Sequence, residues 1–516
     1  MYKPKLIYYH DSRHYLLYRF DPPMSLHQLR KPVDDLIGTG IDTLVYGVGM
    51  GQTFLYDTKV GYRFGEKKAS HDHNIIWWRA SENLETAINR GLDPFKIVVD
   101  RAHEKGLRII GSIRINDTGA PDGNTYNVGK LKYENPDVMI GEEDPDNPHS
   151  ATALDFARED VRKERLAVIE EICDRYGADG IEIDEYIRVF FKSSEIKQNI
   201  PILTKWIMDV RNLLDDIGKK RDEHLSLSLR IHPIEKANLD IGIDIKDWIG
   251  KGLIDWIAPH GDPNIVDTVP DFEWMADEIH KVGGTIYPPL GRETYDDRYQ
   301  MPTIEMLRAV ATNFRRAGAD GFYLADRHWP HTNKEYQIFR EMSDPDIYYR
   351  KTKHYPLAYE RPKENPVLPK RYIPQVLKEG VTNKIPIAIG DDIDSAIADN
   401  ELEEVKLALR IGQYNVNDQI NIVVNNHSLS IADAKVTSFY GGIVPYFPQK
   451  LGMPGRIDSH HWLEFTLPKD LVVQGENTIE ITMVKQWEDF VIERSVNSVE
   501  IWINYVDLPE QIGKQM

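Results

Sequence analysis

The chain is 516 residues long and carries 63 Lys and Arg against 82 Asp and Glu, a net charge of -19. That surplus repels phosphate backbones and anionic lipid, which argues against nucleic acid as a partner. No apolar run reaches the roughly 20 residues of a membrane helix, and a lone cysteine, Cys173, forms neither an internal disulfide nor a zinc cluster and reads as a small buried hydrophobe.

The start, MYKPKLIYYHD, lacks the apolar core and cleavage site of a secretory signal. It suits a cytoplasmic location if the chain is complete, and a periplasmic or secreted one if a signal has been removed. Eight short apolar runs follow, at 6–9, 43–46, 108–113, 180–184, 225–229, 254–258, 284–287 and 321–324. Helix-patterned stretches such as 95–105, 160–176, 204–216 and 303–317 lie between them. The alternation predicts βα units of the α/β class, and eight repeats predict a (β/α)8 TIM barrel over residues 1–345. An open doubly wound sheet is the competing architecture, but it usually has fewer strands, and no GxGxxG turn follows the first run. The insert FLYDTKVGYRFGEKKASHDHNIIWW and the Asp/Pro/Asn-rich stretch 117–149 then become loops on the face where barrels keep their chemistry.

The Pro-rich segment 346–375 reads as a linker, and 376–516 as a smaller all-β sandwich domain. Its β-patterned stretches lie at 405–411, 419–424, 462–467, 478–484 and 498–505, parted by turn signals such as Asn425-Asn426. Tyr440, Tyr446, Phe447 and Trp487 are its candidates for holding glycan, with a packing role as the plainer alternative.

The fourth run, DGIEIDEY, sets three carboxylates beside apolar residues that belong in an interior. Strand side chains alternate, so Ile181 and Ile183 point to surrounding helices while Glu182 and Asp184 point into the barrel, with Asp184 at the C-terminal rim. The fifth run, LSLSLRIHP, likewise sends Ser226, Ser228, Arg230 and His232 inward, and Glu182 reads as a structural partner of Arg230 or Ser228. Other runs end in polar groups: His10, Asp11, Arg13 and His14 after the first, Arg114 and Asn116 after the third, His260 and Asp262 after the sixth, and Asp326, His328 and Trp329 after the eighth. Charges converging on one mouth must be paired or used by a ligand, because burying them alone costs several kcal/mol.

The segments ALDFAREDVRKERLAVIEEICDRYGADGIEIDEY and DWIGKGLIDWIAPH, spanning roughly Ala153 to His260, resemble the glycosyl-hydrolase-like family 10 group. The resemblance implies a barrel glycosidase in which the aspartate matching Asp184 closes the fourth strand. This chain departs from the family pattern at Glu182, where His or Gln is usual, at Glu185, which replaces a second Asp, and at His260, which replaces Gln.

A glycoside hydrolase of this kind, acting on a poly- or oligosaccharide, needs two carboxyl groups about the scissile bond. Asp184 is expected as nucleophile or base and Asp262 as proton donor, with Glu185 and Asp326 in reserve. Arg114, Asn116, Arg230, His232, His260, Tyr287 and Asp326 are expected to hold sugar hydroxyls or an acidic group, and Trp329, Trp77 or Trp78 to stack on a sugar face. Arginines and histidines around an acidic pair hint at an anionic sugar, sulfated or uronic. Carbohydrate is the partner implied, and the mechanism calls for no cofactor and no metal. Two rivals stand beside this reading. One is a metal-dependent barrel hydrolase built on His10, His14, His71, His73, His232, His260 and His328, although the first strand lacks a close His-x-His pair. The other is a carbohydrate-binding scaffold whose barrel has lost catalysis.

Overall fold

Parallel strands covered on both faces form from short continuous apolar runs. The computed structural model describes residues 2–51, 53–68, 74–116, 119, 126–144, 150–184, 189–260, 265–294, 298–299, 301–325, 327–357, 372–439 and 460–506. Its first eight long-range strands are β1 (Leu6–Asp11), β2 (Thr43–Gly47), β3 (Arg108–Arg114), β4 (Gly180–Asp184), β5 (Ser226–Ile231), β6 (Trp256–Pro259), β7 (Thr285–Ile286) and β8 (Phe322–Leu324). All pair in parallel, in the order β7–β6–β5–β4–β3–β2–β1–β8. A parallel bridge between Pro289 and Tyr323, whose N–H donates to Pro288 O at 3.1 Å, joins the two ends and closes the expected barrel.

The principal helices are α1 (Leu26–Asp34), α2 (Ile75–Asn89), α3 (Pro94–Lys105), α4 (Glu159–Glu170), α5 (Ile196–Arg221), α6 (Glu273–Lys281), α7 (Ile304–Arg316) and α8 (Asn333–Met342). Their ends follow from local chemistry. The Asp93 side chain accepts from the N–H groups of Phe95 and Lys96 and Pro94 opens α3, while Gly106, at φ +74°, ends it. Cys173 is fully buried, as its apolar setting demands. No described helix is long and apolar enough to cross a membrane.

The chain divides into two units, one of residues 1–261, 272–289 and 318–343, the other of 262–271, 290–317 and 344–516. Helix α7 forms where its pattern predicts but belongs to the second unit, where Asn313 Nδ2 donates to Thr268 O at 2.7 Å and Ala388 O at 2.9 Å. That unit is antiparallel. Its strands are β9 (Lys353–Pro356), β10 (Gln375–Leu377), β11 (Thr382–Ile389), β12 (Leu402–Gly412), β13 (Gln419–Val424), β14 (His427–Leu429), β15 (Lys435–Phe439), β16 (His460–Leu467), β17 (Gly475–Lys485) and β18 (Arg494–Tyr505). One sheet runs β9–β18–β12–β16–β15 with β10 also on β18, the other β11–β17–β13–β14. Residues such as Ile387, Leu407, Ile422, Ile481 and Ile501 form one buried core. Within the expected linker 346–375 the chain forms the end of a short helix, Pro345–Tyr348, and strand β9, and 358–371 lie outside the described residues.

An aspartate enters each even-numbered barrel strand and ties it to the strand before. Asp179 N–H donates to Ile109 O at 2.8 Å while its Oδ2 accepts from Ile109 N–H at 2.8 Å. Asp255 repeats this on Leu227 (2.9 and 2.7 Å), and Asp320 on Ile286 (3.0 and 2.9 Å). Asp42 does so across Leu6 O (3.4 Å) and Lys5 N–H (3.0 Å). In three of them a histidine also meets the carboxylate: His103 for Asp179, His224 for Asp255 and His280 for Asp320. Glycine follows two of these acids because the neighbouring backbone leaves no room: a Cβ on Gly180 would lie 2.3 Å from Ser226 O, and one on Gly321 2.4 Å from Lys5 O. Asp255 also holds Arg211 Nη1 at 2.9 Å, and both residues are buried. Removing it leaves Arg211 Nη1 and the Leu227 N–H without their buried acceptor, although Asp215 still holds the other side of the guanidinium. Asp255→Ala is therefore expected to destabilise the chain by about 2 kcal/mol, read as a lower denaturant midpoint.

Candidate active site

Pairing register stacks the interior polar side chains in layers. Ser112, Glu182 and Ser228 are neighbours across β3, β4 and β5, and one layer nearer the C-terminal rim so are Arg114, Asp184 and Arg230. Arg230 Nη2 donates to Asp184 Oδ2 at 2.8 Å, with the two side chains only 7% and 3% exposed. The guanidinium also lies 4.8 Å from the centre of the Tyr9 ring, which stacks on Tyr323. On β1, Asp11 accepts from His14 Nδ1 at 2.7 Å and from the backbone N–H groups of Arg13 and His14, and Arg114 Nη2 stands 4.0 Å from it. Burial opposes the Asp11 charge, yet His14, Arg13 and Arg114 together hold its carboxyl below the usual range. The rim therefore reads Asp11, Arg114, Asp184, Arg230: two anions, each beside a cation.

Glu182 lies one layer deeper and is fully buried. Its Oε1 accepts from Ser112 Oγ at 2.7 Å and Tyr323 OH at 3.1 Å, while Oε2 is buried with no hydrogen-bond partner among the described residues. Burial, reinforced by Asp184 and opposed by Arg230 and the two hydroxyls, pushes its pKa up from an ordinary 4.5 to about 7. A carboxyl that accepts two bonds on one oxygen and none on the other is well placed to carry its proton on the second. His260 Nε2 is likewise buried without a partner among the described residues, and burial, Arg230 and His232 hold that imidazole neutral.

Other expected residues stand elsewhere. Asn116 is fully buried, and its amide serves three backbone groups, Leu154 O, Val189 O and Leu154 N–H, so it pins the loops beyond β3 and β4 rather than facing a sugar. Tyr287 is a fully buried core ring set edge-on to Trp256. The charges felt by its hydroxyl are those of Asp320, Asp42 and Tyr2, before the strands, so it points to the end away from the mouth. Trp329 is buried, donates to Asp35 Oδ2 at 3.0 Å and meets Phe20 edge-on, so neither face is offered as a platform. His232 is buried, and its Nδ1 accepts from Ile234 N–H. His10, on the outward parity of β1, stacks on Tyr46, and burial lowers its pKa to about 3. Trp77 packs among Phe64 and Tyr126. Glu185, Asp262 and Asp326, with His71, His73, Tyr440, Tyr446 and Phe447, lie outside the described residues. Three interior residues escaped the sequence reading, Tyr9, Ser112 and Tyr323. Parity would have found Tyr9, two places before Asp11 in LIYYHD, and Ser112, two before Arg114 in GSIRIND. Among the described residues no group of three or more His, Cys, Asp or Glu is placed to hold a metal ion.

No family model and no curated protein matches the chain. Among solved structures it is similar to a maltogenic α-amylase of Thermotoga neapolitana at 12% identity, over 93% of this chain and 99% of that one, with a TM-score of 0.38. An endo-β-1,4-mannanase of Thermotoga petrophila matches at 10% identity over 96% and 97%, with a TM-score of 0.42. A glycoside hydrolase family 18 N-acetylglucosaminidase of Paenibacillus barengoltzii matches at 10% over 66% and 99%, with a TM-score of 0.36. Likenesses this distant decide neither substrate nor mechanism.

The Glu182 proton has a thermodynamic signature. The folded chain keeps a proton that the unfolded chain releases above about 4.5, so stability falls as pH rises from there to about 7 and is level beyond. The span corresponds to roughly 3 kcal/mol. Denaturant midpoints between pH 4.5 and 8 are expected to show this slope in the wild type and to lose it in Glu182→Gln.

Proposed function

We propose that the barrel is a glycoside hydrolase acting on a poly- or oligosaccharide, with Asp184 as nucleophile or base. The observation that carries the reading is the Asp184–Arg230 pair: a carboxylate at the C-terminal end of β4, oriented by a guanidinium that is fixed in turn over Tyr9. The motif resemblance across residues 153–260 to the glycosyl-hydrolase-like family 10 group supports the same assignment. Proton donation to the leaving oxygen falls to Asp262, with Glu185 and Asp326 next in order, and Arg114, Arg230, His232 and His260 are the proposed contacts to substrate. Two carboxyl groups held in different protonation states are what such hydrolysis requires.

One observation favours a rival. Asp184 is only 2% exposed, and a reacting carboxylate must meet its substrate, so a carbohydrate-binding scaffold is the second reading. A panel of poly- and oligosaccharides screened for released reducing ends separates them. The wild type is expected to hydrolyse at least one glycan, and Asp184→Asn to lose about 10²-fold or more of that turnover with its melting transition retained. Undiminished turnover in the variant sinks the Asp184 assignment, while glycan binding without turnover in the wild type installs the scaffold.

A further inference from the structure

On Glu182 and Arg230, three buried polar atoms are left over once the ion pair and the two hydroxyls are satisfied. They are Oε2 of Glu182 and Nε and Nη1 of Arg230, none with a hydrogen-bond partner among the described residues. Buried polar groups are nearly always paired, so an orphaned carboxyl oxygen and two orphaned guanidinium N–H groups on adjacent strands call for a cause. The two side chains stand on adjacent strands one layer apart, since Glu182 is level with Ser228 and Asp184 with Arg230. Arg230 thus stands level with one carboxyl group and a layer above another, and it is paired with the level one.

Charge counting accounts for that choice. Among the described residues Arg13, Arg114 and His14 are gathered on Asp11 and Arg230 on Asp184, so an ionised Glu182 has no cation of its own. The groups around Glu182 are Ser112 on β3, Arg230 on β5, Tyr323 on β8 and Asp184 on its own strand, and among them only Arg230 can answer that charge. Tyr9, on β1 against the guanidinium, and Tyr323 both keep their protons, because burial raises them well above the ordinary phenol range.

We propose that Glu182 is a positioning residue that sets where Arg230 points. With its proton on, it leaves the guanidinium to Asp184 and the rim aspartate stays oriented. With the proton released to solvent, it draws the guanidinium one layer down the barrel, fills the orphaned donors and lets Asp184 go. Near-neutral titration of Glu182 sets the pH at which the exchange takes place. Only the effect on turnover rests on the reading of Asp184 as the reacting carboxylate; the exchange itself does not.

The test follows two signals in the full-length chain from pH 5 to 9. One is the side-chain carboxyl 13C of Glu182, assigned by its loss in Glu182→Gln. The other is the 15N–1H signal of Arg230 Nε, assigned by Arg230→Lys or, should that variant not fold, by its shift in Asp184→Asn. Both are expected to move together with one midpoint near 7, and the Arg230 signal is expected to keep its acidic position throughout in Glu182→Gln. An Arg230 signal that stays still in the wild type, or moves equally in Glu182→Gln, overturns the proposal. Where a glycan is hydrolysed, kcat/KM is expected to fall about tenfold per pH unit above the midpoint, and this limb to shift up by about a unit or more in Glu182→Gln. An unmoved limb beside two resonances that move overturns the reading of Asp184 as the reacting carboxylate and leaves the exchange standing. If no glycan is turned over, the glycosidase reading fails alone and the two resonances still decide the exchange.

Discussion

A closed barrel must fill its own axis, and this one fills part of it with charge. The contact on which the arrangement depends is the 2.8 Å bond between Arg230 and Asp184. Either ion alone would cost several kcal/mol in that setting. Together they allow β4 and β5 to carry polar side chains inward while Ile181, Ile183, Leu227 and Leu229 pack outward. The same contact sets the protonation of its surroundings: it spends Arg230 on Asp184, which leaves Glu182 without a counter-ion and His260 beside a cation. Rim, middle layer and neutral imidazole thus follow from how one guanidinium is shared.

Much of the barrel was legible because a two-residue period is hard to disguise. DGIEID and LSLSLRI fix both faces of β4 and β5 from parity alone, and their interior residues are those the pattern names. What escaped was set by contacts distant in the chain. Helix α7 has an ordinary amphipathic pattern, and nothing in it announces that Asn313 bonds Thr268 and Ala388 of the second unit. Strand β11 carries Pro386, which counts against a strand, and is tolerated because β11 is an edge. The start of the Pro-rich stretch pairs with β18 for a similar reason, since β9 is an edge as well.

The site was legible to the same depth. Parity assigned Glu182, Asp184 and Arg230 to the interior, but it is silent on which end of the barrel a long side chain favours. Tyr287 shows this, for its position lies on the interior face while its hydroxyl feels Asp42 and Asp320 at the entry end. Asn116 and Trp329 follow their strands as rim residues should, yet their polar atoms are taken by backbone carbonyls and by Asp35. Sequence specifies where a residue leaves the strand. Which partner it meets depends on loops whose geometry no local pattern encodes.

The aspartates at the head of β2, β4, β6 and β8 all reach to the preceding strand and to no other barrel strand in these bonds. They therefore group the eight strands into four couples, and the β4–β5 seam between couples is held instead by its ladder and by the Arg230–Asp184 bond. A polypeptide divided between β4 and β5 would keep every such carboxylate in the same fragment as the amide it holds. Division between β3 and β4 would leave one of them reaching across to a separate molecule.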